Sequence, residues 1–156
     1  MKHLLYVWYG FRHFWASNSR HGTHSPFVYK LTEDVIYKSP KKKDKSERKS
    51  RRLLNEIAGY FGVEYTFSQE GKGENMALCL EGPTMQIDEL ASAQHCYCFI
   101  VLLDIYKGQR NRDYWQAICR DRRFVVTIDL FFFGLLFFRT EQPKQHFILR
   151  FPFWKY

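Results

Sequence analysis

Two histidines stand three residues apart in the stretch HGTHSP, where a helix is predicted to begin. His21 and His24 are of a residue type that binds metals and transfers protons. A three-residue spacing places two side chains on one face only within a helix, and these two precede the helix that Ser25 and Pro26 predict. We therefore interpret the stretch as the start of a helix, with capping and packing roles and no metal. A role toward a substrate stays open.

Asp129 lies within the most apolar run of the chain, FVVTIDLFFFGLLFF, at residues 124–138. A carboxylate in such surroundings is costly unless it is paired or reaches the surface. Arg139 is the candidate cross-strand partner, and a catalytic carboxylate is the alternative. No Ser-His-Asp or Cys-His arrangement follows from the spacing, so the sequence leaves the catalytic residues unknown.

The four cysteines, Cys79, Cys96, Cys98 and Cys119, show no C-x-x-C spacing, so no zinc or thioredoxin-like site is predicted. Several lie in apolar runs and are typical of small buried residues in a reduced compartment. No secretory signal is visible, and the apolar run is shorter than the ~20 residues of a spanning helix. We therefore expect a cytoplasmic protein with no membrane span and no bound metal.

The net charge of +8 is concentrated in one segment, residues 38–52. This segment holds nine basic and two acidic residues and so carries +7. A run of this kind is usually a solvated linker. It could also bind an anionic partner, either the phosphates of a nucleic acid or an anionic membrane surface.

Length and composition suit one globular domain, with 156 residues of which 46% are hydrophobic and 19% aromatic. Residues 1–20 show weak helical periodicity. Further along, we predict helices over residues 26–38, 50–60, 85–95 and 112–121, and strands over residues 63–67, 76–82, 96–106 and 146–151. A tight hairpin is predicted around Gly134. This order predicts an α/β fold with a mixed sheet, antiparallel C-terminal strands and flanking helices.

The single domain divides into an N-terminal aromatic and helical segment (1–37), a basic linker (38–52) and an α/β core (53–156). Its most distinctive stretches are HGTHSPFVYKLTEDVIY, RRLLNEIAGYFG, LCLEGPT, IVLLDIY, YWQAI, VVTIDLFFFGLLFFR and QHFILRF, in that order. Together they resemble one group of bacterial class I S-adenosylmethionine-dependent methyltransferases. The first is similar to that group's N-terminal signature, the second to the helix before its first strand, the third to its second strand, and the last four to its C-terminal third.

The resemblance implies a reduced Rossmann-like methyltransferase fold and S-adenosylmethionine as the cofactor. It places Glu81 where an acid of the family accepts hydrogen bonds from the ribose hydroxyls, which suits the two oxygens of a carboxylate. Gly71 and Gly73 stand in the counterpart of a glycine-rich turn, where a side chain would block the ligand. Asp104 stands where the family has two acids. Because only one remains here, beside Lys107, we expect a salt-bridged aspartate rather than a metal ligand.

The chain also departs from the family, because segments are missing. No helix is predicted between the first two strands, and nothing between His95 and Cys96 corresponds to the family's third and fourth strands. We therefore expect a degenerate methyltransferase-like protein in which cofactor binding is impaired or lost. Two alternatives stay open: a minimal methyltransferase whose pocket is completed by dimerisation, and a non-enzymatic protein that binds nucleic acid or an anionic surface. The aromatic surplus also predicts a homodimer through exposed apolar sheet surface.

Overall fold

Six strands and the helices that cover them account for the apolar patterns of the sequence. The computed structural model describes residues 2–17, 25–38, 47–68 and 73–155. Its helices are α1 (Lys2–Ala16), α2 (Pro26–Leu31, continued by a π-helical turn over Thr32–Ile36), α3 (Lys49–Phe61), α4 (Ile87–Ala93) and α5 (Gln109–Arg120). Its strands are β1 (Glu64–Thr66), β2 (Gly73–Glu81), β3 (Tyr97–Leu103), β4 (Val126–Asp129), β5 (Phe133–Phe137) and β6 (Gln145–Ile148). The predicted α/β class is confirmed.

Short sequence signals set the ends of the helices. The Ser25 hydroxyl accepts a hydrogen bond from the Val28 amide at 3.4 Å and caps α2, as predicted. Gly62 ends α3 in the left-handed conformation (φ 65°), which glycine adopts without strain. At α4 the cap is Gln86, which exchanges hydrogen bonds with Glu89, so the helix begins at residue 87, later than predicted.

The strands form one mixed sheet in the order β1-β2-β3-β5-β4-β6. Strands β1, β2 and β3 are parallel neighbours, while β5 runs antiparallel to both β3 and β4. The antiparallel C-terminal arrangement is therefore confirmed for β3, β5 and β4. The last strand, β6, instead pairs with β4 in parallel. Strand β6 pairs with β4 because both sides of β5 are already occupied, one by β3 and the other by β4.

The hairpin turn lies at residues 130–132 and not around Gly134, where it was predicted. Gly134 is the second residue of β5 and pairs with Asp129 and Leu102. A Cβ atom at Gly134 would lie 2.6 Å from Cζ3 of the Trp115 ring, so the indole packs directly on the strand backbone. The glycine is required by this contact with α5 and not by a turn.

Helices pack on both faces of the sheet. On one face α2 and α3 contribute Val28, Leu31, Leu53 and Ile57 to a core shared with β2, β3, β4 and β5. On the other face α4 and α5 contribute Leu90, Trp115 and Ile118. The central strands β3 and β5 are therefore buried on both sides, as their continuous apolar sequences predict.

Candidate ligand-binding site

A cleft of about 920 Å³ opens at the carboxyl ends of β1, β2 and β3. Open α/β sheets bind ligands at this edge, where the loops that follow the strands diverge. The lining combines three kinds of side chain. The acids are Glu47, Glu81 and Asp104; the cations are Arg48, Lys49, Arg51 and Lys107; the aromatic residues are Tyr6, Tyr65, Phe67, Phe132, Phe133 and Phe153.

Glu81 and Asp104 meet at this cleft because they follow neighbouring strands. Glu81 is the last residue of β2 and pairs with Leu103, the last residue of β3, which Asp104 follows directly. Glu81 is exposed and, among the described residues, has no ion-pair partner within 4 Å. Its carboxylate is thus open to the cleft.

Asp104 is held by its own turn and by a lysine. Its backbone adopts a left-handed conformation (φ 56°), and its amide donates a hydrogen bond to the Phe132 carbonyl at 2.8 Å. Its carboxylate lies 2.8 Å from Lys107 Nζ, which confirms the predicted salt bridge. This contact raises the pKa of Lys107, and the nearby charge of Glu81 adds to the effect. Both partners are exposed, so the pair adds little stability.

The two glycines of the sequence-predicted site do not both lie at the cleft. Gly73 begins β2, so eight residues of extended chain, about 25 Å, separate it from Glu81. Gly73 therefore lies at the amino-terminal end of β2, on the side of the sheet away from the cleft. Gly71 lies outside the described residues, as do His21 and His24.

The basic segment reaches the cleft at its C-terminal end. Arg48, Lys49 and Arg51 line the cleft, and Arg51 Nε lies 3.4 Å from a Glu47 oxygen, one turn earlier. Residues 49–52 form the first turn of α3, and Arg52 is buried. Residues 39–46, which carry much of the positive charge, lie outside the described residues.

A second group of polar side chains is buried around Asp129, which is 1% exposed. The Trp115 indole N–H donates to Oδ2 at 2.9 Å and the Tyr106 hydroxyl donates to the same oxygen at 2.7 Å. The Phe131 amide donates to Oδ1 at 2.9 Å. His13 Nε2 lies 2.8 Å from Oδ1, a contact that is an ion pair when the imidazole is protonated.

These contacts explain the charge state of Asp129. Burial alone would raise its pKa, but His13, the Phe131 amide and the Tyr106 hydroxyl lower the pKa below its ordinary value. Among the described residues, the carboxylate of Asp129 is not part of the lining of the cleft. Asp129 is buried and contacts His13 of α1, so it fastens this helix to the end of β4.

The predicted pairing of Asp129 with Arg139 is wrong. Asp129 pairs with Gly134, near the turn, whereas Arg139 follows the far end of β5, at the other end of the hairpin. Arg139 instead forms an ion pair with Glu141, and its guanidinium lies 4.2 Å from the centre of the Phe27 ring. His13 lies more than 100 residues from Asp129 in the sequence. No local spacing could indicate that contact.

Within residues 2–17, 25–38, 47–68 and 73–155, no three His, Cys, Asp or Glu side chains are grouped closely enough to hold a metal ion. No helix of these ranges combines the length and the hydropathy needed to cross a membrane. Comparisons with protein-family models, with curated proteins and with solved structures gave no match.

Proposed function

We propose that this chain is a degenerate methyltransferase-like protein whose cleft still accepts the nucleoside end of S-adenosylmethionine, but which no longer transfers the methyl group. The observation that carries the proposal is the meeting of Glu81 and Asp104 at the carboxyl ends of two neighbouring parallel strands. The resemblance implies ligand-binding acids at both positions.

The chemistry of the cleft suits a nucleoside. The free carboxylate of Glu81 offers two acceptor oxygens to two adjacent ribose hydroxyls. Tyr65 lies in the neighbouring strand β1 and Phe67 follows that strand; the two form an edge-to-face pair with ring centres 6.2 Å apart. Such rings provide the flat apolar surface on which a base stacks. The volume of about 920 Å³ lies within the range of small-molecule sites.

Three features favour loss of methyl transfer. Gly73 and Glu81 lie at opposite ends of β2, so Gly73 cannot help to shape a turn beside a ligand at Glu81. The connection between β1 and β2, residues 67–72, is too short for a crossover helix. Between α4 and β3 there is one helical turn, Gln94–Cys96, where the resemblance implies further strands. Methyl transfer depends on fixed positions for donor and acceptor, and these elements would supply them.

The test is a titration of the full chain with S-adenosylmethionine and S-adenosylhomocysteine, followed by calorimetry and by NMR shifts. We expect weak, saturable binding of both ligands. Glu81→Gln should weaken it by about ten-fold or more, because a hydrogen bond to a charged group is lost. Glu74→Gln is the matched control, since Glu74 is exposed near the other end of the same strand.

Two results would contradict the proposal. The first is the absence of saturable binding at millimolar ligand, which would mean that the nucleoside site is lost as well. The second is an equal effect of Glu81→Gln and Glu74→Gln, which would place the ligand elsewhere. Transfer of a labelled methyl group to any acceptor would instead support the minimal-methyltransferase alternative.

A further inference from the structure

The outward face of α1 is an apolar stripe. Leu4, Val7, Trp8, Phe11 and Trp15 recur at the spacing that aligns side chains along one side of a helix, and we name these five residues the α1 stripe. Leu4 is 81% exposed and Trp15 74% exposed. Within the part of the chain that the structure describes, no other segment covers them. Exposed apolar side chains on this scale mark an interaction surface.

The opposite face of α1 is fixed to the rest of the protein. Tyr9 accepts a hydrogen bond from Arg112 at 2.7 Å, and His13 lies 2.8 Å from Asp129. A Cβ atom at Gly10 would be 3.3 Å from the Phe131 ring, so the helix backbone sits directly on that side chain. The helix thus turns Tyr9 and His13 toward the protein and its large apolar side chains outward, whereas an ordinary surface helix turns its apolar side chains inward.

The charges around the α1 stripe indicate what covers it. Helix α1 contains no acidic residue, and Arg12 on the helix is exposed. The Arg150 guanidinium lies 4.1 Å from the ring of Phe14, beside the stripe. The whole chain carries +8. A second copy would bring the same positive charges to the contact, so the two surfaces would not be complementary. An anionic surface would be complementary to these positive charges.

We propose that the α1 stripe docks this protein onto the surface of an anionic lipid bilayer, with α1 lying in the plane of the interface. Tryptophan and phenylalanine are well suited to the boundary between headgroups and acyl chains. Stable attachment of this kind needs an apolar element together with positive charge. The stripe supplies the first, and Arg12, Arg150 and the basic side chains that line the cleft together with Tyr6 of α1 supply the second. This docking does not depend on whether the cleft binds a nucleoside.

The test is co-sedimentation of the full chain with sucrose-loaded vesicles of phosphatidylcholine, with and without about 30 mol% phosphatidylglycerol, a strongly anionic surface. We expect binding to the anionic vesicles, several-fold weaker binding to pure phosphatidylcholine, and loss of that difference at about 0.5 M salt, where charges are screened. The fluorescence of Trp8 and Trp15 should shift to shorter wavelength on binding, because their exposed rings enter apolar surroundings.

The Trp8→Ser/Phe11→Ser double variant should reduce partition onto anionic vesicles at least ten-fold, since each fully buried aromatic side chain contributes more than that factor. These side chains are 56% and 58% exposed, so the fold is expected to survive, as circular dichroism would show. Tyr29→Ser is the matched control, because Tyr29 is 46% exposed on α2 and outside the stripe.

Equal binding of the wild-type chain to both vesicle types would overturn the proposal, and so would undiminished binding by the double variant. A third result would also overturn it: a wild-type dimer in the absence of lipid that the double variant converts to a monomer. The α1 stripe would then be an interface between two copies. If the double variant fails to fold, the salt dependence and the fluorescence shift of the wild-type chain decide the question.

Discussion

Removal of the buried carboxylate by Asp129→Ala should strongly destabilise the fold. Asp129 accepts hydrogen bonds from Trp115, Tyr106 and the Phe131 amide and is the ion-pair partner of His13. Alanine leaves the three donors without an acceptor and removes the carboxylate beside His13. The carboxylate of Asp129 is buried, so water does not replace the lost oxygen atoms.

The expected loss is about 3–5 kcal/mol of unfolding free energy, because three hydrogen-bond donors lose their acceptor at once. One unsatisfied donor alone costs about 1–3 kcal/mol. Asp129→Asn keeps the shape and one acceptor oxygen, so it should cost less. Since the whole domain has only about 5–15 kcal/mol of stability, the alanine variant is best studied at low temperature.

The assay is urea unfolding of both variants and of Asp113→Ala, an exposed control on α5. The control should change stability by less than about 1 kcal/mol. Amide hydrogen exchange provides a second readout, since α1 should lose protection in Asp129→Ala before the sheet does. A loss below about 1 kcal/mol for Asp129→Ala would refute the conclusion that this carboxylate fastens α1.

The same carboxylate predicts a pH dependence. Its folded-state pKa is lowered, mainly by His13 against the opposing effect of burial, whereas an unfolded aspartate titrates near pH 4. The unfolded chain therefore binds the proton first as the pH falls. The contribution of Asp129 should be fully present above about pH 4 and be lost as the pH falls through the folded-state pKa. Unfolding curves of the wild-type and Asp129→Asn chains should converge in that range. Parallel curves would contradict the pairing.

The remaining predictions concern packing and reactivity. Gly134→Ala should cost about 1–3 kcal/mol or more, because the Trp115 ring fills the space of the new methyl group. Gly59→Ala, in open space on α3, should stabilise by about 0.5–1 kcal/mol. The urea midpoints of the two variants should therefore move in opposite directions, and a common direction would contradict one of the two assignments. Burial raises the pKa of the Cys79 thiol to about 12, so iodoacetamide at pH 8 should label Cys79 only after unfolding. Mass spectrometry of the labelled chain checks this, and rapid labelling of the folded chain would refute it.

The features that sequence reasoning placed well depend on neighbours in the chain. The cap at Ser25 and the left-handed Gly62 act within about four residues, so their patterns are visible in the sequence. Glu81 and Asp104 could both be placed at the carboxyl ends of strands, because each comes at the end of an apolar run. The salt bridge to Lys107 lies within one turn and was also predictable.

The features that it misplaced depend on contacts between distant elements. The glycine at 134 is explained by an indole on α5, which no hairpin rule includes. The partner of Asp129 depends on the register of β4 and β5, and on a helix at the other end of the chain. Strand β2 begins at Gly73, three residues before the predicted start. The apolar pattern indicates a later start because Glu74 and Asn75 are polar, exposed residues of the strand. That shift is what moves the glycine away from the cleft.

The anchoring of α1 has a consequence for the order of folding. The helix is the first of the described elements to leave the ribosome, but the hydrogen bonds of Tyr9 join it to residues 100 and 103 positions later. Contacts that close such long loops form late, because the entropy of closure is lost before the contact is gained. Until α5 and the last strands are in place, both faces of α1 stand free. The newly made chain therefore exposes the apolar residues of the α1 stripe until those contacts form, which makes α1 the natural place for a chaperone to hold it.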